Sequence, residues 1–205
     1  MKNVLIFDYD GVLVDSFDIF MNNFIKACNK QGFESIATEK DFLKLFENNM
    51  YESMFARGMT KAQILKIVYF MRDALTENQD KIKVFEGISE TLEKLSKENR
   101  LVIVTSNETN VVNNFLKSRN LSFFDDIYGS DKAPSKIEKI NKIKDKYPNE
   151  NYFYIGDTKG DIIEGKKACV KTVAVSWGWH KKEQLEELDP DFIIDNPKEL
   201  EELVK

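Results

Sequence analysis

Asp8 and Asp10 are the first residues of the chain whose types and spacing suit chemistry. They close the run Val4 to Phe7, the unbroken apolar pattern of a strand buried on both faces. Side chains two apart on extended backbone point the same way, so both carboxylates project toward one spot just past the strand. Like charges so close cost free energy unless a cation compensates them, and a hard ion such as Mg2+ suits oxygen ligands. Alone, an Asp-x-Asp-Gly stretch also reads as an ordinary turn. Later groups change that balance. Thr105, Ser106 and Asn107 end the apolar run Leu101 to Val104, and Asp157 and Asp161 follow the run Tyr152 to Ile155. Lys132 and Lys136 lie at the start of the helical pattern before that last run. Singly, Thr105 reads as a helix cap and Asp157 as part of a tight turn. Jointly they offer carboxylates for a divalent cation, a hydroxyl and a lysine for an anion, and a spare carboxylate as nucleophile. That set suits phosphoryl transfer, where positioning and charge neutralisation supply most of the rate.

Such groups converge only if the elements bearing them end on one edge. The apolar runs are short and continuous, and helical periodicity separates them, which predicts a parallel sheet covered on both faces. In such sheets ligands bind beyond the carboxyl ends of the strands. Residues 17 to about 80 break the alternation. Phe17, Phe20, Met21, Phe24, Ile25 and Cys28 predict a helix with Ser16 as N-cap and Gly32 past its end. Thr38 with Asp41, then Thr60, open further helices. The expected architecture is a doubly wound α/β core, residues 1–16 and 84–205, carrying a helical insertion over residues 17–83.

The bulk numbers exclude other classes. With 205 residues, 42% of them hydrophobic, the chain can bury a core with room for the insertion. A net charge of -5 argues against nucleic acid or an anionic membrane as partner. No apolar run approaches the ~20 residues that span a bilayer, and the N-terminal run is too short for a signal-peptide core. Cys28 and Cys169 lack metal-ligand spacing and read as reduced core thiols of a cytoplasmic protein. One histidine, His180, allows no multi-histidine metal site.

Taken in order, the motifs resemble those of the haloacid dehalogenase-like hydrolase superfamily, in its phosphoglycolate phosphatase-like branch. Asp8-Tyr-Asp10-Gly-Val-Leu-Val-Asp15-Ser is similar to the family's first motif and Val102-Ile-Val-Thr105-Ser-Asn to its second. Lys136 is similar to the third, and Gly156-Asp157-Thr-Lys-Gly-Asp161 to the fourth. The resemblance covers the core; the helical block stands where the family places a mobile cap but has no specific match. It implies Asp8 as nucleophile, Asp10 as general acid and base, and Mg2+ held by Asp8, the carbonyl of Asp10 and Asp157, with Asp161 behind them. It further implies phosphate oxygens bound by Thr105, Ser106 and Lys136, and a small phosphorylated metabolite as substrate.

Two lysines compete for the third motif, and Lys136 is favoured because Ser135 stands ready to cap its helix. Asn107 reads equally as a substrate contact or a loop residue. Arg57 is a candidate clamp for a substrate carboxylate, with a solvated helix end as its plainer reading. Trp177, Trp179 and His180 read as packing, a dimer patch or a contact to the helical block. Within the superfamily, Asp10 argues against metal-free dehalogenation. Phe20 stands where beta-type phosphomutases carry a histidine, which argues against a mutase; a mutase or other transferase of the same fold is the alternative reading. A non-catalytic binding role would require a lost motif residue, and none is lost. Oligomeric state is not legible in the chain.

Overall fold

The computed structural model describes residues 2–204. Its first strand, β1 (Asn3–Phe7), lies at the centre of the molecule. Leu5 and Phe7 face the larger core, while Val4 and Ile6 face a second one with Val102, Val104, Ile140 and Ile143. A strand with both faces covered has no polar face, which is why it reads as a continuous apolar run.

The chain then passes through β2 (Val14–Asp15) into α1 (Phe17–Lys30), α2 (Glu39–Leu43), α3 (Met50–Ala56) and α4 (Lys61–Glu77). It returns through β3 (Lys83–Val84), which pairs antiparallel with β2, Val14 opposite Val84. Entry and exit of the helical block are thus held side by side. Its helix starts follow their sequence signals. Thr38 and Thr60 close capping boxes with Asp41 and Gln63. Gly32, just past α1, takes the left-handed φ of 84° that an L side chain disfavours.

The remainder alternates: α5 (Ile88–Leu95), β4 (Arg100–Val104), α6 (Thr109–Ser118), β5 (Asp126–Tyr128), α7 (Lys136–Lys146), β6 (Asn151–Gly156), α8 (Lys159–Lys167), β7 (Lys171–Val175), α9 (Lys182–Glu186), β8 (Phe192–Ile194) and α10 (Glu199–Leu203). Six strands form one parallel sheet in the order β5-β4-β1-β6-β7-β8. The chain winds outward from β1 through β4 to β5, then returns to β6 and winds the other way. The direction reverses at β1, and a crevice opens there at the carboxyl ends. Register completes the placement. Phe7 pairs with Ile103 on one side and Ile155 on the other, so the three strands end level.

Several expectations need correction. Ser16 and Ser135 occupy N-cap positions, yet neither side chain caps its helix. Cys28 is a buried thiol, but Cys169 is exposed. It follows α8 at a φ of 54°, where the chain turns away from the helix, so it belongs to the surface and not the core.

Candidate active site

The level ends of β1, β4 and β6 bring Asp8, Thr105 and Asp157 to one edge, and the backbone N–H of Asp8 still donates to the Ile155 carbonyl at 2.9 Å. Lys136, the first residue of α7, reaches over this edge. Its Nζ donates to Asp8 Oδ2 at 2.7 Å and to Asp161 Oδ1 at 2.6 Å. Lys132 instead lies exposed beside Asp131.

Asp161 has every lone-pair direction engaged. Besides Lys136 it accepts from the Tyr154 hydroxyl at 2.7 Å, the Thr158 hydroxyl at 2.6 Å and the Thr158 backbone N–H at 3.1 Å. Four donors hold it in place. Asp157 differs. Its Oδ2 accepts the Trp179 backbone N–H at 2.7 Å, but its Oδ1 is buried without a partner. A Cβ added to Gly11, at a φ of +77°, would come within 2.0 Å of Asp157 Oδ2, and one on Gly178 within 2.2 Å of Asp157 Cβ. Two glycines therefore clamp this carboxyl group, and its orphaned oxygen points where a ligand belongs. One oxygen each from Asp8, Asp157 and Asp161 lies within 4.8 Å of the others.

The carboxyl of Asp10 is not in that cluster. Ser16 donates to its Oδ1 at 2.6 Å and Asn107 to its Oδ2 at 2.7 Å. Sequence reading left Asn107 between a substrate contact and a loop residue; here it orients Asp10. Thr105 is fully buried, and its hydroxyl accepts the Asn107 N–H at 3.1 Å. Ser106 lines the cleft. Arg57 is not brought to the site: it is exposed at the end of α3 and donates to the Ser53 carbonyl of its own helix.

Burial dominates the electrostatics of these carboxyl groups. Burial raises Asp8 to about 7 despite Lys136, and raises Asp10 to about 6 despite the bonds from Ser16 and Asn107. Burial, with Asp161 and Asp8 nearby, pushes Asp157 well above the usual carboxylate range. Burial alone would lower the Lys136 ammonium, but Asp161 and Asp8 outweigh it and hold the group well up. Orphaned oxygen, oxygen-only donors and excess negative charge all fit a hard divalent cation.

Residues unnoticed in the sequence complete the site. Ser16 looked like a cap. Lys139 is fully buried, and Glu164 lines the cleft from α8. Lys139 follows Lys136 by one helical turn, a spacing that puts the two on one face. Trp179 packs its ring against Phe20 of α1 and Phe46 at centroid distances of 5.2 and 4.9 Å. His180, also buried, accepts from the Lys159 N–H at Nδ1, leaving Nε2 to donate to the Leu43 carbonyl of α2 at 3.3 Å. This loop therefore both packs and contacts the helical block.

The family model for haloacid dehalogenase-like hydrolases matches residues 5–175. The chain belongs to that family. The match runs through the helical block as well as the motif-bearing strands. Among relatives, "Pyrophosphatase PpaX" of Bacillus mycoides is 26% identical over 207 residues, 97% of this chain and 94% of that protein. Among solved structures, a haloacid dehalogenase-like family hydrolase from Streptococcus pneumoniae superposes with a TM-score of 0.80 at 28% identity, covering 100% of this chain and 99% of that one. A predicted phosphatase from Clostridium acetobutylicum shares the fold at a TM-score of 0.83 and 23% identity, with 100% and 98% covered.

Proposed function

We propose that this hydrolase is a Mg2+-dependent phosphatase that acts on a small phosphorylated metabolite through an aspartyl-phosphate on Asp8. The observation that carries the reading is the buried, unpartnered Oδ1 of Asp157 beside a nucleophile-grade carboxylate paired with Lys136. The carboxylates of Asp8 and Asp157 and the backbone carbonyl of Asp10 would hold the ion. When bound, it would neutralise charge on the phosphoryl oxygens and keep both carboxyl groups ionised.

In the first step a carboxylate oxygen of Asp8 attacks phosphorus and the bond to the leaving oxygen breaks. Asp10, oriented by Ser16 and Asn107, gives its proton to that oxygen. It then takes a proton from water, which attacks phosphorus and releases inorganic phosphate and the free Asp8 carboxylate. The Ser16 hydroxyl can accept as well as donate, so it serves both protonation states of Asp10. Lys136, Thr105 and the Ser106 N–H bind the transferring phosphoryl group.

The helical block would act as the cap. Its aromatic residues meet Trp179 over the cleft, and closure there would exclude water. Phe20, buried in that cluster, offers no second acid–base group of the kind a mutase needs. Two free thiols and the absence of any helix, among the described residues, long and apolar enough to cross a membrane accord with a cytoplasmic enzyme.

The test is phosphate release from a panel of monoesters with Mg2+ and with chelator. Metal-dependent release is expected. No release from any ester would overturn the reading.

A further inference from the structure

One wall of the cleft in front of Asp8 is built by the helical block and α8, and it decides what leaving group the cleft can hold. That wall carries Asn48, Asn49, Tyr51 and Met50 from the helical block, and Glu164 from α8. Glu164 is 5% exposed, and Asn49 Nδ2 donates to its Oε1 at 2.9 Å. Asn49 is itself held, because its Oδ1 accepts the N–H groups of Tyr51 and Glu52 at the start of α3. The carboxylate is therefore fixed at the boundary of core and helical block. The same Asn49–Glu164 pair lines an outer groove on its other side.

Cations are scarce along this path. Lys136 is committed to Asp8 and Asp161. Lys167 lines only the outer groove, beyond Glu164. Arg72 lines a neighbouring apolar cavity that shares Phe20, Met50 and Tyr51 with the cleft, and it pairs with Asp73 at 2.9 Å and Glu108 at 3.8 Å. An anionic leaving group would meet a fixed carboxylate, two amides and apolar surface, and among the described residues the cations that line the cleft and the neighbouring cavity, Lys136 and Arg72, already pair with carboxylates.

Resting on the phosphatase reading, we propose that the enzyme takes monoesters whose leaving group is an uncharged or cationic alcohol. It discriminates against substrates bearing a second anionic group, and Glu164 is the specificity-determining residue. Rejection works by placing like charge against the wrong ligand, while hydroxyl or ammonium donors on the right one find an acceptor.

The experiment compares kcat/KM with Mg2+ for glycerol 3-phosphate and ethanolamine phosphate against pyrophosphate and 2-phosphoglycolate, in wild type and Glu164→Gln. Gln keeps an acceptor for Asn49 and removes only the charge. The expected result is a wild-type preference for the first pair, and a ratio that narrows about tenfold in E164Q, the scale of one like-charge contact inside a partly desolvated site. A merely structural role would lower both classes together. A wild-type preference for the anionic pair, or an unchanged ratio in a folded E164Q, would overturn the proposal while leaving the phosphatase reading intact. No metal-dependent release from any of the four would sink both. The wild-type ranking decides alone if E164Q does not fold.

Discussion

The Lys139 ammonium donates to the backbone carbonyl of Thr105 at 2.6 Å, from a side chain with no exposed surface. It thereby fixes the end of β4, on which Thr105 and Ser106 stand. Burial, aided by the nearby Lys136 charge, lowers it to about 8. Below that pH both folded and unfolded chains are protonated and the burial cost is present in full. Between about 8 and the ordinary lysine value the unfolded chain binds more protons, so stability rises with pH. Urea unfolding of wild type against Lys139→Met from pH 7 to 10.5 should show a rise on the order of 3 kcal/mol that the variant lacks. Equal slopes would refute the assignment.

Asp8→Asn removes the nucleophile at nearly constant volume and should reduce turnover by about 10⁴-fold or more. It should also stabilise the metal-free protein. A carboxyl raised to about 7 is protonated more in the folded than the unfolded chain, so stability falls as pH rises through the window from the usual carboxylate value to 7. At pH 7.5 in chelator the variant should melt above wild type. Melting below wild type would mean that the Lys136 pair, and not burial of the charge, dominates.

Magnesium should raise the melting temperature of wild type, by about 2.7 kcal/mol of stability when the ion stands at ~100 times its dissociation constant. Asp157→Asn should lose most of that shift, because it converts an orphaned anionic oxygen to an amide. Asp161→Asn should lose less metal response yet weaken the fold, since it replaces one of the two oxygens that accept from Lys136, Tyr154 and Thr158 with a donor and removes the charge. Calorimetry with and without Mg2+ separates the two.

Ser16→Ala removes a bond that holds the Asp10 carboxyl down, so the proton of Asp10 should bind more tightly. The limb of the pH–kcat profile that reports Asp10 should move to higher pH, with kcat down about tenfold. A profile that falls without shifting would leave Ser16 a structural residue only.

The thiols should separate under a colourless thiol reagent in native protein. Cys169 should react at once. Cys28, buried and pushed up to about 12, should react only on unfolding. Two fast thiols would place Cys28 outside the core.

Where the chemistry sits was legible in the sequence because it depends on local rules. A strand buried on both faces must read as an apolar run, and the polar residues that end it must fall at the sheet's edge, so Asp8, Thr105 and Asp157 announced themselves. Capping at Thr38 and Thr60 is likewise a matter of four consecutive positions. Only the tertiary structure decided which partner each group takes. Ser16 has the type and place of a helix cap, but Asp10 offers it a buried charge, and that bond won. Asp161 carries the same carboxylate as Asp157, yet four donors occupy one and leave the other with an open oxygen. Glu164 and Lys139 lie on helix faces whose burial depends on how α8 and α7 dock, and Arg57 misses the cleft because α3 ends facing solvent. Spacing along the chain sets which residues share an edge. The partners that set their charges and hydrogen bonds lie from 3 to 128 positions away, and spacing alone does not say which of them each group takes.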